Sequence, residues 1–133
     1  MTLVRRSAVV ALFLAVAAIA GCAATPRTVT LNIHYSAFDQ TQLAVPRGVP
    51  VTFVLVNEDP IDHEWLIGDA AFHDAHRTGT HATHDQVPTE VTVPALETAT
   101  TTITFDEEGT FHYICHIPGH EAHGMVGVLT VEG

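Results

Sequence analysis

The chain has 133 residues, a length for one domain, and carries fifteen acidic residues against five basic ones, for a formal net charge of −10. Lysine is absent and every basic residue is an arginine. A surface of this sign repels nucleic-acid phosphates and suits either a basic partner or simple solubility.

The N-terminus reads as a processing segment. Arg5 and Arg6 precede an apolar run over residues 8–20, too short to span a bilayer comfortably and laid out like a secretory signal. The run ends Ile19-Ala20-Gly21-Cys22, which resembles a bacterial lipobox, with small residues before a cysteine that takes lipid. The alternative is an ordinary signal with a chance cysteine. Residues 1–21 are thus read as a lipoprotein signal peptide, Cys22 as the lipidation site, 22–27 as a tether and 28–133 as the folded domain. That implies an extracytoplasmic protein anchored by lipid to a bacterial membrane, on the periplasmic or cell-surface side. The mature chain keeps Arg27, Arg47 and Arg77 against the fifteen acids, a net charge of −12. With Cys22 lipidated and Cys115 on a metal, no thiol is left for a disulfide, so packing must supply the stability.

From Thr28 the pattern alternates, with Val29, Leu31, Ile33 and Tyr35 on one face and Thr28, Thr30, Asn32 and His34 on the other, as in a half-buried strand. His34 falls on the polar side. Residues 41–45 form a second short strand, and Pro46-Arg47-Gly48 turns the chain into 50–57, PVTFVLVN, a central strand rich in β-branched residues. Glu58-Asp59-Pro60 breaks it, and a further strand begins near His63. Residues 68–88 interrupt the rhythm as a histidine-rich insertion with His73, His76, His81 and His84 among Asp69, Asp74 and Asp85. A one-turn helix over 70–76 would put His73 and His76 on one face. Strands return at 89–93, 98–105, 110–115 and 125–131. About seven strands at this spacing predict an all-β Greek-key β-sandwich, with no repeat or second domain.

The segment GTFHYICHIPGHEAHGMVGVLTVEG closes the chain. Between its two strands it places Cys115, His120 and Met125 with four residues in each gap. A thiolate, an imidazole and a weak thioether, completed by a second histidine, form the mononuclear blue-copper donor set. His63 is the best candidate for that histidine, because it follows a central strand closely. The run YICHIPGHEAHGM resembles the copper loop of the cupredoxins, with spacers like those of rusticyanin more than plastocyanin or azurin. The resemblance covers residue 28 to the C-terminus, apart from the insertion. It implies a cupredoxin β-sandwich with His63, Cys115, His120 and Met125 as ligands of one type 1 copper. Plastocyanin and azurin have an asparagine after the upstream histidine where this chain has Glu64, so the resemblance leaves the ligands intact but does not carry over the hydrogen bonds behind them.

Other metals and classes fit less well. Zinc favours four firm donors and would need His116 or His123. A dinuclear copper centre needs a second loop cysteine, and a multicopper oxidase needs His-x-His pairs, which do not occur. A copper nitrite reductase needs a second copper site and a second domain. His112, His116 and His123 are assigned to the surface. The resulting reading is a monomeric electron carrier that cycles copper between Cu(I) and Cu(II) for a redox partner protein, without turnover of its own. The alternative is copper tolerance, storage or delivery, with His73, His76, His81 and His84 collecting a second, weaker copper.

Overall fold

The computed structural model describes residues 25–79 and 87–133. Cys22, the signal segment, His81 and His84 lie outside the described residues. Among the described residues, nine strands build two packed sheets. One has the order β2-β1-β4-β7 and the other β3-β9-β8-β5-β6. The strands are β1 (Arg27–His34), β2 (Ala37–Phe38), β3 (Gln42–Pro46), β4 (Pro50–Asn57), β5 (His63–Gly68), β6 (Glu90–Val93), β7 (Thr98–Thr104), β8 (Gly109–Ile114) and β9 (Val126–Glu132). One helix, α1 (Ala70–Arg77), follows β5, and a 3-10 turn, Glu121–His123, sits in the β8–β9 loop.

Alternation in sequence becomes alternation in burial. Val51, Phe53 and Leu55 of β4 are buried while their neighbours are half-buried or exposed, and β1 runs parallel beside it with Leu31 opposite Leu55. Across the sandwich, Phe53 of β4 meets Trp65 of β5 with ring centroids 4.8 Å apart. Trp65 in turn lies 6.1 Å from Tyr113 of β8, so an aromatic column joins the sheets. Burying side chains of this size contributes about 1.5–3 kcal/mol each to the stability of the fold.

Two expectations change. Tyr35 was placed on the inner face of the first strand, but that strand stops at His34 and Tyr35 is 85% exposed. Tyr35 and Ser36 both adopt left-handed backbone angles, φ 53°, so the chain reverses there and enters β2. The helix after β5 runs two full turns. Asp69 caps it by accepting the Phe72 amide at 2.8 Å, and His76 and Arg77 occupy its last turn.

The second sheet brings the metal-binding candidates together. β5 pairs antiparallel with β8, Leu66 opposite Ile114, and β8 pairs antiparallel with β9, Ile114 opposite Val126. The first residue of β5, the residue after β8 and the residue before β9 therefore share one end of the sheet. These are His63, Cys115 and Met125.

Tyr113 locks the register of this hairpin. It is fully buried, its hydroxyl donates to the Gln40 carbonyl at 2.6 Å, and its ring covers Gly127 on β9 so closely that a methyl group there would overlap it. Gly127→Ala should therefore lower stability by about 1–3 kcal/mol, the usual cost of overpacking. Urea unfolding checks this, and an unchanged midpoint would show that the ring has room to move.

Candidate metal centre

One donor atom each from His63, Cys115 and His120 lies within 4.8 Å of the others. His63 Nδ1 is 3.2 Å from His120 Nδ1, and Cys115 Sγ is 3.3 Å from the same nitrogen. His63, Cys115 and Met125 are completely buried, and His120 is partly exposed at the loop surface. The His63, Cys115 and His120 donors thus face one another, with the His120 imidazole reaching the surface.

The loop is short and tied at several points. The Cys115 amide donates to the Met125 carbonyl at 3.2 Å, and the Met125 amide donates to the His120 carbonyl at 3.0 Å. Three of the four candidate ligands are linked through backbone alone. Gly124 takes φ 94° after the 3-10 turn, an angle that glycine adopts without strain, and returns the chain to β9.

Hydrogen bonds behind the donors fix their chemistry. The Glu64 amide donates to Cys115 Sγ at 3.3 Å. Because this is a backbone group, the bond does not depend on an asparagine at that position, and Glu64 serves as well. Burial raises the Cys115 pKa, with the Glu64 and Ile117 amides opposing it, so the metal-free site holds a thiol that must lose its proton on metal binding. Burial and the neighbouring His63 hold the His120 pKa below the ordinary histidine value, which keeps its lone pair available.

Asp59 is the residue that sequence reasoning missed. It appeared only as part of a strand break, yet its Oδ2 lies 2.9 Å from His63 Nε2. Burial alone would raise its pKa, but the amides of Ser36 and Tyr35 and the His63 imidazole outweigh burial and leave it below the usual carboxylate value. The signal was present in the sequence: an acid four residues before a candidate ligand is a natural acceptor for that ligand's second nitrogen. Asn57 completes the support. Its side-chain amide donates to the carbonyls of Ile61, Val93 and Pro94, and its oxygen accepts the Asp59 amide.

The remaining histidines separate into two groups. His34, His112 and His123 are exposed, in line with their surface assignment. His116 is not: its side chain is only 8% exposed, and its Nε2 lies 2.9 Å from His73 Nδ1. His73 is itself buried, and its Nε2 donates to the His112 carbonyl at 3.1 Å. Both ring nitrogens of His73 are therefore engaged in the fold, and a metal could use them only by breaking these bonds. The geometry makes α1 a support for the ligand loop. His73 holds the residue after Cys115, and Arg77 forms an ion pair with Glu121, the residue after His120.

The donor set is the thiolate, two imidazoles and thioether of a type 1 copper site. A profile of the cupredoxin-like domain matches residues 6–131 of the chain. The chain belongs to the cupredoxin-like family. It is 36% identical over 98 residues to a copper-resistant cuproprotein, CopI, of Rubrivivax gelatinosus, covering 71% of this chain and 59% of that one. Auracyanin-B of Chloroflexus aurantiacus is 32% identical over 110 residues, 71% of this chain and 47% of the relative. The chain thus spans about three fifths of the first relative's length and about half of the second's. Among solved structures, auracyanin B superposes with a TM-score of 0.68 at 27% identity over 80% of this chain and 89% of that one.

Burial keeps His73 below its ordinary pKa and pushes His116 down to about 4. In the unfolded chain both take a proton near ~6.5, while in the fold they stay neutral. Metal-free stability should therefore be complete above ~6.5 and fall as pH drops from there towards about 4, where His116 protonates in the fold as well. His73→Gln should flatten that slope by up to about 1.4 kcal/mol per pH unit. Urea titrations of the metal-free protein at several pH values measure it.

Proposed function

We propose that this cupredoxin is an electron carrier that holds one type 1 copper. The observation that carries the reading is the preformed cluster of His63, Cys115 and His120, with buried Met125 at the end of the same loop. Bound copper supplies a one-electron couple between Cu(I) and Cu(II). The protein's part is to hold a thiolate and two imidazoles that suit both oxidation states, so that little moves when the electron does. Burial of three donors excludes water, and part-exposed His120 offers the shortest way out to a redox partner protein. We further propose that the protein works outside the cytoplasm, anchored by lipid on Cys22. Among the described residues, no helix is long and apolar enough to cross a membrane, which says nothing about a β-barrel.

A second reading is favoured by the likeness to CopI, whose name describes a copper-resistant cuproprotein. Here the same centre would serve copper tolerance, storage or delivery, and the segment bearing His76, His81 and His84 would collect additional metal. Copper stoichiometry separates the two. A carrier binds one copper per chain with reversible voltammetry, whereas a collector binds more than one.

The copper-loaded chain should be intensely blue from thiolate-to-Cu(II) charge transfer, and Cys115→Ser should abolish the colour. Met125→Gln should lower the reduction potential and Met125→Leu should raise it with the colour kept, because a harder axial oxygen favours Cu(II). A wild-type chain that binds Cu(II) yet stays pale contradicts the assignment, and potentials unchanged in both variants reduce Met125 to core packing.

A further inference from the structure

Asp59 does more than accept one hydrogen bond. Its side chain is 8% exposed, and besides His63 Nε2 it receives the amides of Tyr35 at 2.8 Å and Ser36 at 2.7 Å. Its own amide donates to Asn57 Oδ1 at 3.0 Å, and its carbonyl accepts the Leu96 amide at 3.0 Å. The carboxylate is therefore held by the turn at residues 35–36 and by His63, while Asn57 and Leu96 hold the Asp59 backbone.

Two consequences follow from elementary chemistry. An ionised carboxylate only accepts, so in the neutral imidazole of His63 the proton sits on Nε2. That leaves Nδ1 bare, and Nδ1 is the atom that faces His120 at 3.2 Å. The second consequence concerns the turn. Tyr35 and Ser36 both sit at φ 53°, a conformation that costs a residue with a side chain roughly 1–2 kcal/mol. Successive amides in such a turn form a concavity that binds an anion, and here the anion is Asp59. The strained turn and the carboxylate thus hold each other in place, and strain of this kind persists only where the surroundings fix it.

We propose that Asp59 is a positioning residue of the copper centre. It fixes His63 as an Nδ1 ligand and makes that imidazole a stronger donor to Cu(II), with the Tyr35–Ser36 turn serving as its anchor. This rests on the reading of the site as a copper centre. An anionic acceptor on the distal nitrogen raises the basicity of the ligating one, which stabilises the more highly charged oxidation state. The carboxylate therefore holds the reduction potential below the value a neutral acceptor would give.

The test compares the full wild-type chain with Asp59→Asn and Glu58→Gln. Glu58 is the adjacent carboxylate, half exposed and without contact to His63. Removing it takes away the same charge nearby but leaves the clamp intact. Asp59→Asn should weaken Cu(II) binding by about 10–100-fold while Cu(I) binding changes less. Each tenfold difference between the two raises the reduction potential by ~59 mV. Glu58→Gln should stay close to wild type. A blue Asp59→Asn protein with the wild-type potential overturns the proposal, as does an equal shift in both variants, which would be general electrostatics. Nitrogen NMR of the metal-free wild-type protein gives a second reading that needs no variant to fold. It should find His63 as the Nε2-protonated tautomer with that proton shielded from exchange, and the opposite tautomer overturns the proposal. A wild-type chain that takes up no copper overturns both the copper reading and the proposal built on it, whereas the other outcomes bear on the proposal alone.

Discussion

The metal end of this protein depends on the pairing of β8 with β5 on one side and β9 on the other. That register aligns Leu66, Ile114 and Val126, and so sets His63, Cys115 and Met125 at one end of a single sheet. A slip of one residue in β8 would turn Cys115 to the opposite face, because side chains alternate along a strand. With three donors fixed by sheet geometry, only His120 has to be placed by a loop. The loop amides do this by tying residues 115, 120 and 125 to one another.

The helix after β5 supports the ligand loop. Of the four histidines between residues 73 and 84, it carries His73 and His76, while His81 and His84 lie outside the described residues. His73 is buried with both nitrogens bonded, and it holds His116 on one side of the ligand loop. Arg77 holds Glu121 on the other. The charged pair is partly solvent-exposed and contributes little to global stability. Its consequence is local, since it ties the ligand loop to α1 next to His120.

Much of the architecture was legible because β1 alternates polar and apolar residues, β7 alternates threonines with other residues, and β4 is an apolar run rich in β-branched residues. β2 was not, since two residues are too few to show a period. Tyr35 continued the alternation by one residue, and only the left-handed backbone reveals that the strand had already ended. The copper ligands were legible as donor types at a fixed spacing. His116 was assigned to the surface, but β8 stops at Ile114 and the side chain turns towards α1. Asp59 escaped notice because its partners at residues 35, 36 and 63 come from separate segments, and only folding brings them to one carboxylate.

A centre whose donors are set by strand register and held by hydrogen bonds should exist before the metal arrives. Crystal structures of the metal-free and copper-loaded protein at the same pH test this most directly. A preformed centre predicts that the donor atoms of His63, Cys115, His120 and Met125 superpose within about 0.5 Å, with copper on Nδ1 of both histidines. A metal-free structure with His63 rotated away from Asp59, or a copper ion bound through His63 Nε2, would contradict it.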